Sequence, residues 1–206
     1  MAASNDKRRI GIVGGTFDPV HLGHLMIAEQ FADYVGLDRV IFVPASRSPF
    51  KVDVSDVSSP SHRLAMLQRA IGGNARFSLD EWELRRGGTS YTIDTVEHFK
   101  RNFPDAELFL LIGADQARQF HEWRDRRRIL TMTQLCIVRR HGTRLDVRVQ
   151  QELTLGGRPP ILVDCPLLEL SSTEIRRRVA AGRSIRYLTP DAVAAYIHEH
   201  SLYRDR

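Results

Sequence analysis

Two histidines three residues apart, at the end of a glycine-rich turn, are the groups in this 206-residue chain best suited to chemistry on a phosphate. The run is Gly14-Gly15-Thr16-Phe17-Asp18-Pro19-Val20-His21-Leu22-Gly23-His24; it follows the apolar stretch Ile10–Val13 and opens a segment of helical period. Glycine lets backbone amides approach an anion closely, and a helix start adds partial positive charge. A spacing of three puts His21 and His24 on one side of the first turn, where both imidazoles can address one cluster of oxygens. The turn is no dinucleotide fingerprint, because Gly11, Gly14 and Gly15 have the wrong offsets, and no Walker loop, because G-K-[ST] is absent. The histidines have no evident third ligand, so no protein-held metal is expected.

Other stretches carry both a structural and a chemical reading. Ser171-Ser172-Thr173-Glu174 has the form of a capping box; its exposed amides and hydroxyls, with Arg176 one turn further on, also make a cradle for a triphosphate tail. Gly113 and Asp115 follow the strand-like Leu108–Ile112. A carboxylate there can cap the next helix, accept from ribose hydroxyls, or hold the water shell of a magnesium ion. Trp123 is followed at once by Arg124 and Asp125, which argues against deep burial and suits an indole platform for a flat ring. Tyr91-Thr92 begins a helical stretch through Val96, Phe99 and Phe103, and its amides and hydroxyl suit a carboxylate at a helix start.

Taken together, these stretches carry a family resemblance. GGTFDPVHLGH resembles the H-x-G-H signature of the nucleotidyltransferase superfamily. Ser90-Tyr91-Thr92-Ile93-Asp94-Thr95, Leu111-Ile112-Gly113-Ala114-Asp115 with Trp123, and Leu170-Ser171-Ser172-Thr173-Glu174-Ile175-Arg176 are similar in order and spacing to the bacterial nicotinate-nucleotide adenylyltransferases, from about Arg9 to Tyr203. The resemblance implies a Mg²⁺-dependent transfer of AMP from ATP to nicotinate mononucleotide, giving nicotinate adenine dinucleotide and pyrophosphate in NAD synthesis. It implies catalytic roles for His21, His24 and Arg176. ATP contacts are implied for those three and for Gly14, Gly15, Thr16, Phe17, Gly113, Asp115, Ser171, Ser172 and Thr173. Acceptor contacts are implied for Lys51, Tyr91, Thr92, Trp123 and Arg139. Two departures stand out: Ser48-Pro49-Phe50-Lys51 replaces the frequent Pro-Pro-His-Lys, and Arg139-Arg140-His141-Gly142 replaces Arg-Pro-Gly. The nearest alternative is the same chemistry on nicotinamide mononucleotide or phosphopantetheine; a remoter one is a basic nucleic-acid-binding module on the same fold.

Residues so far apart in sequence need a scaffold that gathers turns at one edge. Ile10–Val13, Val40–Val43, Leu108–Ile112, Cys136–Val138 and Ile161–Val163 read as buried strands, and between them Leu25, Ala28, Ala32 and Val35 share a helical face, as do Val96, Phe99 and Phe103. This alternation predicts an α/β fold: a doubly wound, Rossmann-like parallel sheet with helices on both faces. A short C-terminal helix is expected from a Thr189 N-cap and Pro190 through His198. Residues 1–8 read as a polar tail and 9–206 as a single domain, with a long Ser- and Pro-rich loop at Pro44–Pro60.

Composition supports the same reading, with 42% hydrophobic and 27% charged residues, enough for one core-bearing domain. No apolar run nears the roughly 18 residues of a membrane span, and no signal-type segment follows the N-terminus; a soluble cytoplasmic protein is expected. Cys136 and Cys165 fit neither a disulfide framework nor a zinc site. The net charge of +5 gathers at Arg124–Arg128, Arg139–Arg144 and Arg176–Arg178. With 8% aromatics and no RNP run, finger or basic zipper, phosphorylated small molecules are the expected partners rather than nucleic acid or membrane. A homo-oligomer is left open.

Overall fold

The computed structural model describes residues 7–50, 57–139, 146–164 and 169–204. Lys51, Cys165, the Arg140–Arg144 stretch and most of the tail lie outside the described residues. Six strands, β1 (Arg9–Gly15), β2 (Arg39–Pro44), β3 (Phe77–Leu79), β4 (Glu107–Gly113), β5 (Gln134–Arg139) and β6 (Ile161–Asp164), form one sheet in the order β3-β2-β1-β4-β5-β6. Every pairing is parallel. The five strands expected from sequence are present. The sixth, β3, is three half-buried residues at the edge, too short for a periodic signal.

Alternate residues of each strand feed two cores, because side chains point to opposite faces with a period of two. Val40 and Phe42 of β2 join one core; Ile41 and Val43 join the other. The first is covered by α1 (Leu22–Val35), α2 (Pro60–Ile71) and α9 (Asp191–Glu199), through Ala28, Phe31, Met66, Leu67, Val193 and Ile197. The second is covered by α4 (Thr92–Asn102), α5 (Ala114–Arg118), α6 (Arg126–Met132) and α7 (Val147–Leu153), through Val96, Phe99, Ala117, Ile129, Leu130 and Leu153. Also among the described residues, α3 (Trp82–Arg86) packs near β2 and α8 (Ser172–Ala180) bonds the turn that follows β1. Among the described residues, no helix is long and apolar enough to cross a membrane.

Helix starts follow local chemistry, with one correction. Ser59 caps α2 by accepting from the His62 amide, and Pro60 takes the first helical position, where its missing N–H costs nothing. Thr189 was expected to cap the last helix; instead Pro190 is the cap residue and the Thr189 hydroxyl donates to the Val20 carbonyl at 2.8 Å. Its partner is a turn some 169 positions away, which outbids a local cap.

The chain order reverses between β1 and its two neighbours, β2 and β4. In open parallel sheets the crevice beyond the carboxyl ends at such a point is where ligands bind. Gly14-Gly15 ends β1 and Gly113 ends β4, so both turns open on it.

Candidate active site

A cleft of about 710 Å³ occupies this crevice, lined by Gly14, Gly15, Thr16, His24, Gly113, Asp115, Thr92, Trp123 and Arg139 among others. The two glycines at its floor serve different ends. A Cβ on Gly14 would meet nothing within 4 Å, so it would project into open space that a ligand's phosphate could otherwise use; a Cβ on Gly15 would sit 2.9 Å from the Phe17 ring. Phe17 itself turns that ring into the core, 2% exposed, leaving its backbone as the part able to meet a nucleotide.

The histidines divide their roles. Their rings stack with centroids 3.6 Å apart and 26° between planes. His24 is in the cleft wall; His21 lies behind it, only 6% exposed. The His21 amide donates to His24 Nδ1 at 3.2 Å, so the neutral His24 ring carries its hydrogen on Nε2, ready to donate. Burial pushes the His21 pKa down to about 4, and its Nδ1 finds no partner among the described residues. His21 is therefore a buried, neutral ring stacked on His24. Gly23 makes the stack possible, since a Cβ there would stand 3.1 Å from His21 Nδ1.

The start of α8 abuts this turn. Ser171 caps the helix through the Glu174 amide at 3.1 Å, while the Glu174 carboxylate pairs with Arg177 rather than returning to the cap. Ser172 donates to the Pro19 carbonyl at 2.9 Å, and Arg176 Nη1 to the Asp18 carbonyl at 2.7 Å. Thr173 Oγ1 lies 3.4 Å from Arg176 Nη2. The segment expected to hold the triphosphate is thus bonded to the H-x-G-H turn, with Arg176 beside it. Sequence reasoning missed Arg63, whose side chain is 1% exposed and donates to the carbonyls of Ser58, Thr16 and Ala45 at 3.2, 2.9 and 2.8 Å. Its only sequence signal is an arginine amid the apolar face of α2.

The opposite half of the cleft is aromatic and more open. Trp123 packs on Phe120 with centroids 5.1 Å apart and faces Phe50, 47% exposed, at 6.3 Å. Thr92 and Ser90 line the wall, and Tyr91 leaves α4 without a side-chain cap while its ring lies 4.9 Å under the Arg124 guanidinium. Buried Glu83, also unforeseen, accepts from the Thr95 hydroxyl; burial raises its pKa, opposed by hydrogen bonds from Ser90 and Thr95. Asp115 stands at the rim, its side chain 95% exposed and paired with Arg118. Arg139 reaches the cleft, but its guanidinium forms a two-point ion pair with Asp164 at 2.7 and 3.2 Å. Within the other basic clusters, Arg126 pairs with Glu152, Arg128 with Glu97 and Arg177 with Glu174. Lys51 falls outside the described residues.

This sheet order, with a glycine turn and a histidine donor at the switch point, defines a nucleotide-handling α/β protein, and comparison with known proteins agrees. Residues 12–178 match the family model described as cytidylyltransferase-like. Curated relatives named nicotinate-nucleotide adenylyltransferase include one from Roseiflexus sp., 44% identical over 197 residues (95% of this chain, 98% of the relative). Another, from Thermus thermophilus, is 43% identical over 196 residues (95% of this chain, 100% of the relative). The chain belongs to the nicotinate-nucleotide adenylyltransferase family. The fold is also that of a solved structure from Plasmodium falciparum, a nicotinic acid mononucleotide adenylyltransferase complexed with NaAD, with a TM-score of 0.78, 19% identity, and coverage of 95% of this chain and 97% of that one.

Proposed function

We propose that the chain transfers AMP from ATP to nicotinate mononucleotide, releasing pyrophosphate and forming nicotinate adenine dinucleotide, in the cytoplasm as a step of NAD synthesis. The observation that carries this reading is the His24 ring in the cleft wall, its tautomer set by the His21 amide, opposite an aromatic wall that suits a pyridine ring. Family membership supports the substrates.

An oxygen of the mononucleotide phosphate attacks the α-phosphorus of ATP as the bond to the β-phosphate oxygen breaks, and pyrophosphate leaves. That nucleophile is ionised near neutral pH, so the protein's task is placement and charge stabilisation rather than proton removal. His24 donates from Nε2 to α-phosphate oxygens. The amides of Gly15 and Thr16 cradle the same group, and Arg176 with the start of α8 meets the departing pyrophosphate. Gly113 and Asp115 meet the sugar, Trp123 stacks on the pyridine ring, and the uncapped start of α4 at Tyr91-Thr92 receives the ring carboxylate. Lys51 and Arg139 are proposed on the acceptor phosphate, Arg139 with its charge partly offset by Asp164.

A divalent ion fits as a companion of ATP rather than as a resident. Among the described residues no three His, Cys, Asp or Glu side chains converge, and the carboxylates in the lining are Glu83, already bonded, and exposed Asp115. Asp115 would hold the ion's water shell; bound Mg²⁺ would screen the charge of the triphosphate. The test is pyrophosphate release from ATP with nicotinate mononucleotide, nicotinamide mononucleotide or phosphopantetheine in turn. Release with the first far above the others is expected; preference for another acceptor, or no turnover, overturns the proposal.

A further inference from the structure

The turn that carries the histidines holds an unfavourable backbone. Phe17 has φ 50°, in the left-handed region that side chains with a Cβ avoid. Such a residue persists only where its surroundings over-determine it. On one side of it, the Thr16 carbonyl accepts from buried Arg63. On the other, Asp18 is 2% exposed and both carboxylate oxygens are used: Oδ2 accepts from the Ser58 amide at 3.0 Å, and Oδ1 from the Tyr203 hydroxyl at 2.6 Å, across 185 positions of sequence. Tyr203 is 4% exposed, and burial keeps its phenol protonated, so it is a standing donor. The turn that delivers it contains two further left-handed residues, Ser201 at φ 50° and Tyr203 itself at φ 66°. At the other end of α9, ahead of its Pro190 cap, the Leu188 carbonyl accepts from the Leu22 amide at 3.0 Å and the Thr189 hydroxyl bonds Val20. The C-terminal segment thus meets the H-x-G-H turn at Asp18, Val20 and Leu22, through residues that do not line the cleft.

We infer that Tyr203 is a positioning residue for AMP transfer: through Asp18 it holds the Phe17–His21 turn, and with it His24, in the arrangement that meets the α-phosphate. The phenol touches no substrate and moves no proton. Its hydroxyl fills one Asp18 oxygen while Ser58 fills the other, so the carboxylate can neither swing toward the phosphates nor release the turn. The Arg63 guanidinium offsets the buried charge. The inference rests on the adenylyltransferase reading for its kinetic part and on geometry alone for the rest.

Tyr203→Phe removes one oxygen and keeps the ring in the core. We expect kcat to fall roughly tenfold with KM for the mononucleotide unchanged within about twofold, since a misplaced donor costs rate more than acceptor binding. Asp18→Asn cannot accept from both partners, and the double variant should lose no more than the worse single one, as coupled neighbours do. Thr133→Val is the control, deleting a buried hydroxyl that bonds Ile129 far from the cleft. It should lower Tm comparably and leave kcat intact. Independently of turnover, ¹⁵N shifts of the histidine rings report the His24 tautomer. Nδ1 and Nε2 should be well separated in the wild type and draw together in Tyr203→Phe. Unchanged kcat, a loss matched by Thr133→Val, or His24 shifts unaltered by Tyr203→Phe would each overturn the inference. A wild-type protein without adenylyltransferase turnover whose His24 shifts still respond would overturn the function instead.

Discussion

At the phosphate end of the cleft, side chains from α2, α8 and the C-terminal turn bond the backbone and carboxylate of residues 16–19; Arg63, Asp18 and Tyr203 are almost fully buried, and the α8 contributors Ser172 and Arg176 half-buried. At the acceptor end, Phe50 and Trp123 face each other across 6.3 Å with half-exposed edges, and α4 begins without a side-chain cap. The difference follows from what each end reads. A phosphorus undergoing displacement responds to donors placed within fractions of an ångström, and fixed dipoles in a dry setting are worth most there. A flat ring is read by area and by one substituent, which tolerates a wall that adjusts. Side chains that fix the backbone of the turn therefore gather at one end, and aromatic surface with the Glu83–Thr95 bond at the other.

The largest effect expected from breaking this contrast is at the rigid end. His24→Ala should lower kcat by about 10²–10³, with acceptor binding little changed, because a positioned donor to developing charge is lost. Steady-state kinetics on a variant shown to be folded decide it; near-full turnover would remove His24 from the mechanism. At the other end, the uncapped start of α4 should favour nicotinate over nicotinamide mononucleotide by roughly 10² in kcat/KM, since an uncharged amide loses a charge-assisted bond and leaves donors unpaired. Equal use of acid and amide would dissolve the carboxylate site.

Burial of His21 makes the rigid end sensitive to acid. The folded protein keeps this ring neutral down to about pH 4, whereas the unfolded chain takes up a proton near the usual 6.5. Between those values the unfolded state binds more protons, so stability falls as pH drops through the window and levels off below it, by roughly 3 kcal/mol from this group. Denaturant titrations of wild type and His21→Gln from pH 7.5 to 4 isolate the contribution: the wild type should lose more. Parallel curves would mean that the folded ring takes up its proton as readily as the unfolded one. The smallest effects belong to the aromatic wall. Trp123→Ala should weaken both mononucleotides by about tenfold while leaving most of their ratio intact, and Phe50→Ala should weaken them less, having one exposed face to lose. Binding isotherms with each mononucleotide check both, and a collapse of the ratio in Trp123→Ala would show that the indole, not α4, reads the substituent.

Much of this arrangement was legible in the chain itself. Five strands announced themselves as short apolar runs, and the parallel sheet followed from their alternation with helical segments, because both periods are local properties of sequence. The H-x-G-H turn and Ser171–Arg176 were legible for the same reason, as compact runs of special residues. The three-residue β3 and the partner of Thr189 were not, since one is too short to show a period and the other takes a bond from a distant turn.

Sequence alone determined the fold class, the glycine turn with its two histidines, and the stretches that gather around it, since each depends on residues a few positions apart. Only the tertiary structure decided which histidine faces the cleft, that Arg139 shares its charge with Asp164, and that Arg63 and Tyr203 hold the turn. The physical reason is that burial and hydrogen-bond partnership are properties of juxtaposition. Asp18 and Tyr203 are one bond apart in space and 185 positions apart in the chain, and no local pattern records that they meet.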